Sequence, residues 1–357
     1  MKVRSPDRVE LADQSPKGPE RFRPSLQYEA ANRAADAIAR KFKQSIPGEA
    51  TGFKIIEAYK EFAGSPDGYL QCELFQQMRN GDAPNSRAAA LRFLKFSFAD
   101  VRTWLPREFV AFLRRENNYL KPIAAAVVDN LCEEFGIYGE KRPRAANFTA
   151  FSAGSEEARE VEQILEKLAE PDFHDDPDAT KYVYRLGGLY QLHVEPPSQD
   201  PEHSALYARI LQASGEPIVS GLMSTPGRLR YSEAAADFYI WFDQMVRTKP
   251  FPYMMAFFLA YEITDGLDFP DMSTAVKRMF PNEKDLYEFS DVHAASDHDS
   301  KFMSTMLSVD PDFFTTNREE VINAMGAILG HWTIFNRRAS AESNAVAARE
   351  AELEKAA

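Results

Sequence analysis

Nine consecutive apolar residues, Tyr253 to Tyr261 (YMMAFFLAY), run directly into Glu262. A helix formed by such a run has no polar side to give to water, so it belongs in the middle of a core with neighbours all round. The run falls well short of the roughly 20 apolar residues needed to cross a bilayer, so no membrane span is expected. A carboxylate at the end of a buried helix is costly unless it meets a cation, a proton, a metal or good hydrogen-bond donors. Backbone donors, Arg278 or water would satisfy Glu262 without any chemistry.

Further along the same segment His293 and Asp297 stand four residues apart. On a helix that spacing places both on one face, where they form either a hydrogen-bonded pair in solvent or two ligands of one ion. His298 lies between Asp297 and Asp299 and falls on a different face from His293.

The remaining pattern is helical. Tyr28 to Ser45, Ile55 to Phe62, Gly68 to Met78, Ala124 to Phe135, Glu156 to Leu168 and Glu233 to Arg247 show apolar residues at three- and four-residue spacing or end at Gly and Pro stops. Arg87 to Arg115 is a long amphipathic helix that Pro106 kinks or breaks. Pro250 and Pro252 separate the helix ending near Arg247 from the one running through Glu262, and further helices follow over Asp271 to Phe280 and Lys284 to Leu307. Arg318 to Arg338 has an apolar stripe of Val321, Met325, Ile328, Trp332 and Phe335. Residues 155–230 are rich in turns, and Lys181 to Val194 reads equally as a helix or as two short strands. The expected organisation is a flexible arm over 1–25, one helical domain over 26–338 with 155–230 as an irregular inserted or covering region, and a polar helical tail over 339–357.

Composition removes several classes of function. A chain of 357 residues that is 44% hydrophobic has ample material for a core. A net charge of -12 argues against a nucleic-acid partner, and Lys141, Arg142 and Arg144 make too short a basic cluster to change that. Cys72 and Cys132 spell neither a disulfide framework nor a zinc motif, which fits a reducing cytoplasm. Phosphate-binding loops, nucleophile elbows and C-x-x-C motifs do not occur.

Two blocks resemble the haem-oxygenase-like superfamily, and in particular its metal-dependent oxidase and oxygenase branch. The first spans Glu73 to Gly136, from ELFQQMRNGDAP to VVDNLCEEFG. The second spans Pro252 to Arg338, with LAYEI followed by HAASD and a closing amphipathic helix. The resemblance covers about half the chain and rests on order, spacing and helix character. It implies an all-α, haem-oxygenase-like helical bundle in which Glu134, Glu262, His293 and Asp297 ligate Fe(II), with His298 as a substitute ligand. Ser300 stands where such a family places a second histidine, and the interval after Glu134 has none. The implied activity is oxidation of a small organic or amino-acid-derived substrate by O2, and residues 155–230 would cover the pocket or bind a second copy or protein partner. The alternative is a relative without metal, working by acid/base chemistry or as a non-catalytic binding or assembly module.

Overall fold

The computed structural model describes residues 24–100, 104–115, 124–137, 148–170, 173, 176–192, 194, 203–215, 232–295, 303, 306–307 and 310–356. The protein is all-α, and the described residues contain no strand. Fourteen α-helices are described. They are α1 (Tyr28–Ser45), α2 (Phe53–Gly64), α3 (Glu73–Asn80), α4 (Ala83–Ala99), α5 (Leu105–Arg114), α6 (Ala124–Glu134) and α7 (Glu156–Leu168), then α8 (Ala179–Leu189), α9 (His203–Ala213), α10 (Glu233–Thr248), α11 (Phe251–Met279), α12 (Lys284–Ala295), α13 (Phe313–Thr316) and α14 (Arg318–Ala356).

Two long helices form the centre. α11 buries the whole run from Tyr253 to Tyr261. It continues for 29 residues through Pro270, so the separate helix expected over Asp271 to Phe280 is part of it. Proline here removes one intrahelical bond, and its ring faces the carbonyl of Gly266, where there is no side chain to add to the crowding. α14 likewise joins the expected closing helix and the polar tail into one helix of 39 residues, with the stripe Val321, Met325, Ile328, Trp332 and Phe335 buried.

α14 packs most extensively on α1 and then on α11. Its approach to α1 depends on small residues. A Cβ on Gly330 would lie 2.3 Å from the Ala35 carbonyl oxygen, and one on Gly326 would lie 3.2 Å from the Phe42 ring and 3.3 Å from the Ala39 carbonyl oxygen. Glycines four apart on α14 therefore face alanines four apart on α1, and the two backbones nearly touch.

Polar clamps fix the helices around this centre. Arg79 at the end of α3 makes a two-pronged pair with Asp271 of α11, Nε to Oδ1 at 2.9 Å and Nη2 to Oδ2 at 2.6 Å. Arg278, a candidate partner for Glu262, instead caps α3 by donating to the carbonyls of Met78 and Arg79. Trp332 of α14 donates from Nε1 to Asp268 of α11 at 3.0 Å. His331 is a core histidine, with Nδ1 3.0 Å from the Ala327 oxygen and its ring stacked on Trp241.

The breaks expected at Pro106 and Pro250 are both present. The break at Pro106 falls before it, with Leu105 and Pro106 opening α5. α10 and α11 are parted at Pro250 and touch through Phe242 with Phe257 and Phe258. Within 155–230 the described residues form α7, α8 and α9, so this region is more regular than its turn-rich composition implies, and Lys181 falls in a helix. Residues 1–23 of the expected arm and the 141–144 basic cluster lie outside the described residues, while Ser25 is tied by its N–H to Asp237. Both cysteines are buried and free. No helix among the described residues is long and apolar enough to cross a membrane.

Gly330→Ala is expected to destabilise the fold by about 1–3 kcal/mol, since the Ala35 backbone must move to admit the methyl group. Gly326→Ala, whose tightest neighbour is a ring edge, should cost less. Urea titrations of the two variants measure the order, and equal loss would show that the seam yields evenly.

Candidate functional site

Three helices bring acids to one place and a fourth adds a histidine. On α11, Glu262 and Asp265 are three residues apart and project from the same side. On α6, Asn130 and Glu134 are four apart, and Asn130 Nδ2 donates to Glu262 Oε1 at 2.8 Å, which presses that face of α6 onto α11. Asp100 caps the end of α4 and accepts hydrogen bonds from Tyr239 of α10, at 2.7 Å, and from Tyr261 of α11. α9 lies across α4, where the Tyr207 and Ser97 hydroxyls meet. One turn before Tyr207, His203 brings Nδ1 to 3.4 Å from Glu134 Oε2.

The result is a cluster of Asp100, Glu134, Glu262 and Asp265 with His203, close enough for their charges to interact. Burial pushes the Asp100 carboxyl up to about 7, against the pull of the two tyrosine hydroxyls. Burial also raises Glu134, with His203 opposing. Burial works against a charged imidazole at His203, but Glu134 beside it prevails and His203 is raised too, so the pair holds on to a proton. Asp265 is pushed well above the carboxylate range, first by burial and then by Glu262 and Asp100.

The cluster is not packed shut. The Glu134 and His203 side chains keep 10% and 11% of their surface although they lie between helices, and Glu262 and Asp265 also retain some. These side chains are thus not fully enclosed by the helices around them. Two other carboxylates of α11 have partners outside the cluster. Asp268 sits among Trp332, Tyr69 and Tyr59, and burial raises it well above its ordinary range, while Asp271 faces Arg79.

The sequence points to Glu134 and Glu262, and the fold brings both into the cluster. α12, which carries His293, packs against α11 and α9. The His293 side chain, Asp297 and His298 lie outside the described residues. Three members went unnoticed in the sequence. Asp265 was readable as sharing a face with Glu262. His203 stands at the start of the amphipathic stretch HSALYARIL, four before Tyr207, inside a region that looks like covering loops. Asp100 has no local signal, because only the tyrosines of two distant helices give it a role.

The donor chemistry suits a divalent cation. Four carboxylates and one imidazole form a mixed oxygen and nitrogen set, and Glu134 Oε2 is buried without a hydrogen bond of good geometry. Among the described residues, however, no three His, Cys, Asp or Glu side chains converge closely enough to hold an ion. Comparison with protein-family models, with curated proteins and with solved structures gave no match.

With its pKa near 7 when folded and about 3.9 when unfolded, Asp100 binds a proton in the native state across that interval. Its contribution to stability is complete below about pH 4 and is lost as pH rises through 7. Asp100→Asn, which does not titrate, should therefore gain on the parent protein in melting temperature between about pH 5 and pH 8. A gap that stays constant over that range would show that Asp100 does not titrate there.

Proposed function

We propose that the carboxylate and imidazole cluster is the reaction centre of a metal-dependent oxidase or oxygenase that acts with O2 on a small organic or amino-acid-derived substrate. What carries the reading is the gathering of Asp100, Glu134, Glu262 and Asp265 from three elements, with the His203 imidazole beside Glu134. An acidic excess at low dielectric stays ionised only beside added positive charge. Fe(II) bound there would supply that charge and the capacity to activate O2. The order of Glu134 and Glu262 along the chain, and the position of α12 against α11, also suit the haem-oxygenase-like pattern that the sequence resembles.

The protein's own groups have separate tasks in this reading. Glu134 and Glu262 would be the principal oxygen ligands and His203 would supply the nitrogen that the sequence pattern lacks, once the three drew closer together than the structure has them. Asn130 holds Glu262 in position through its amide. Asp265 takes or gives a proton as the charge of the site changes. Asp100, held by Tyr239 and Tyr261, would do the same.

A second reading keeps the site and omits the metal. It is favoured by the lack of three converging ligands among the described residues and by an Asp100 carboxyl poised near neutrality, as a general acid or base requires.

Anaerobic addition of Fe(II) to metal-free protein, followed by desalting and iron analysis, separates the two readings. The first expects near-stoichiometric iron in the parent protein and a loss of about tenfold or more in affinity for His203→Ala and for Glu262→Gln. A parent protein that retains no iron rules out the metal reading, and so does iron retained equally by both variants.

A further inference from the structure

Asp100 follows the end of α4 and Trp104 precedes α5, and both have the wider π-type turn of the backbone. Such turns are rare and are frequent at functional sites. The two residues meet one side chain, Tyr239 of α10. Asp100 Oδ1 accepts from the Tyr239 hydroxyl at 2.7 Å. The Trp104 ring lies along the Tyr239 ring, with centroids 4.1 Å apart and planes 6° apart. Phe96 is nearly parallel to the same ring at 5.6 Å. The other oxygen of Asp100 accepts from Tyr261 of α11.

Two phenols therefore share one carboxylate, and all three residues are buried. Apolar residues of similar volume commonly serve a core as well or better. What the arrangement adds is chemical. A phenol that loses an electron becomes strongly acidic, and in a buried place its proton can leave only to a base already in hydrogen-bond contact. Asp100, raised to about 7 by burial, is ionised in part at neutral pH and so can take that proton. Trp104 is a poor place for the missing electron, because the Arg107 guanidinium stands 5.8 Å from the centre of its ring. A cation there opposes a second positive charge on the indole.

We propose that Tyr239 and Tyr261 form a one-electron relay beside the carboxylate cluster, with Asp100 as their common proton acceptor. In the forward step the O–H bond of one phenol breaks. Its electron passes to an oxidant and its proton to Asp100, leaving a neutral phenoxyl radical beside a neutral carboxyl group. An electron returned by the organic substrate, together with the proton held on Asp100, restores the phenol. The oxidant is an O2-derived species at the cluster, whose Glu134 and Glu262 lie near enough to Asp100 for their charges to interact. For that oxidant the inference rests on the oxidase reading.

The test supplies its own oxidant and needs no iron. The full metal-free chain is photolysed with tris(bipyridine)ruthenium(II) and persulfate, frozen at intervals and measured by electron paramagnetic resonance. The chain has 14 tyrosines, and radicals at the surface are lost to solutes and to one another, whereas a buried radical persists. A persistent signal is expected in the parent protein, narrowed when its tyrosines are ring-deuterated. It should be lost when Tyr239→Phe and Tyr261→Phe are combined, and in Asp100→Asn, which accepts a hydrogen bond but takes no proton. Tyr59→Phe, which removes a buried phenol bonded to the Thr264 hydroxyl, should keep it. Melting curves establish which variants fold. Asp100→Asn carries the test if the double variant does not fold, and the single tyrosine variants, each expected to lose part of the signal, carry it if neither does. The relay is overturned if the parent shows no persistent signal, or if the folded variants keep it undiminished. Iron retained without a persistent radical overturns the relay and leaves the oxidase reading. A persistent radical in a protein that retains no iron upholds the tyrosine pair and removes only its assigned oxidant.

Discussion

The structure turns on the cost of placing carboxylates along a buried helix. α11 is apolar enough to form the centre of the bundle, yet it carries Glu262, Asp265, Asp268 and Asp271 at three-residue steps. Because three residues fall short of a full turn, each acid is rotated from the one before and meets different neighbours. At Asp271 the cost is met by a cation, the Arg79 fork that also anchors α3. At Asp268 it is met by neutral donors, with the Trp332 indole fastening α14. Both solutions tie the core together and leave little for chemistry.

The two acids that precede these on the same helix are different in kind. Glu262 and Asp265 meet more acids, with Asn130 and one imidazole among them. Such an arrangement destabilises the fold unless protons or a ligand intervene. Stability alone gives no reason to collect acids of one sign at one place between helices. Reactive sites do, because groups whose protonation is finely balanced can exchange protons with a substrate. The contrast along one helix separates the acids that tie the fold together from those gathered in the cluster more clearly than the composition of either group.

Much of the fold was legible in the sequence because helix periodicity and Pro and Gly stops are local signals. The bounds of α1 and α7 and the stripe on α14 follow from them. The continuity of α11 through Pro270 did not, since tertiary packing overrides a proline that the sequence alone marks as a break. The site was legible only in part. Glu134 and Glu262 stood out because they end apolar stretches, whereas His203 was hidden by its turn-rich surroundings. Asp100 depends on Tyr239 and Tyr261, more than a hundred residues away, and a pattern read along the chain carries no record of such partners.

The glycine and alanine seam between α1 and α14 has a consequence in time as well as in space. α1 leaves the ribosome before the helices that separate it from α14, the surface it fits. Its apolar face, with Ile38 and Phe42, therefore waits without its partner while those helices are made. Contacts so distant in sequence slow folding and leave apolar surface open to association with other chains. The polar outer face of α1, with several Lys and Arg side chains, is what keeps that waiting helix compatible with water.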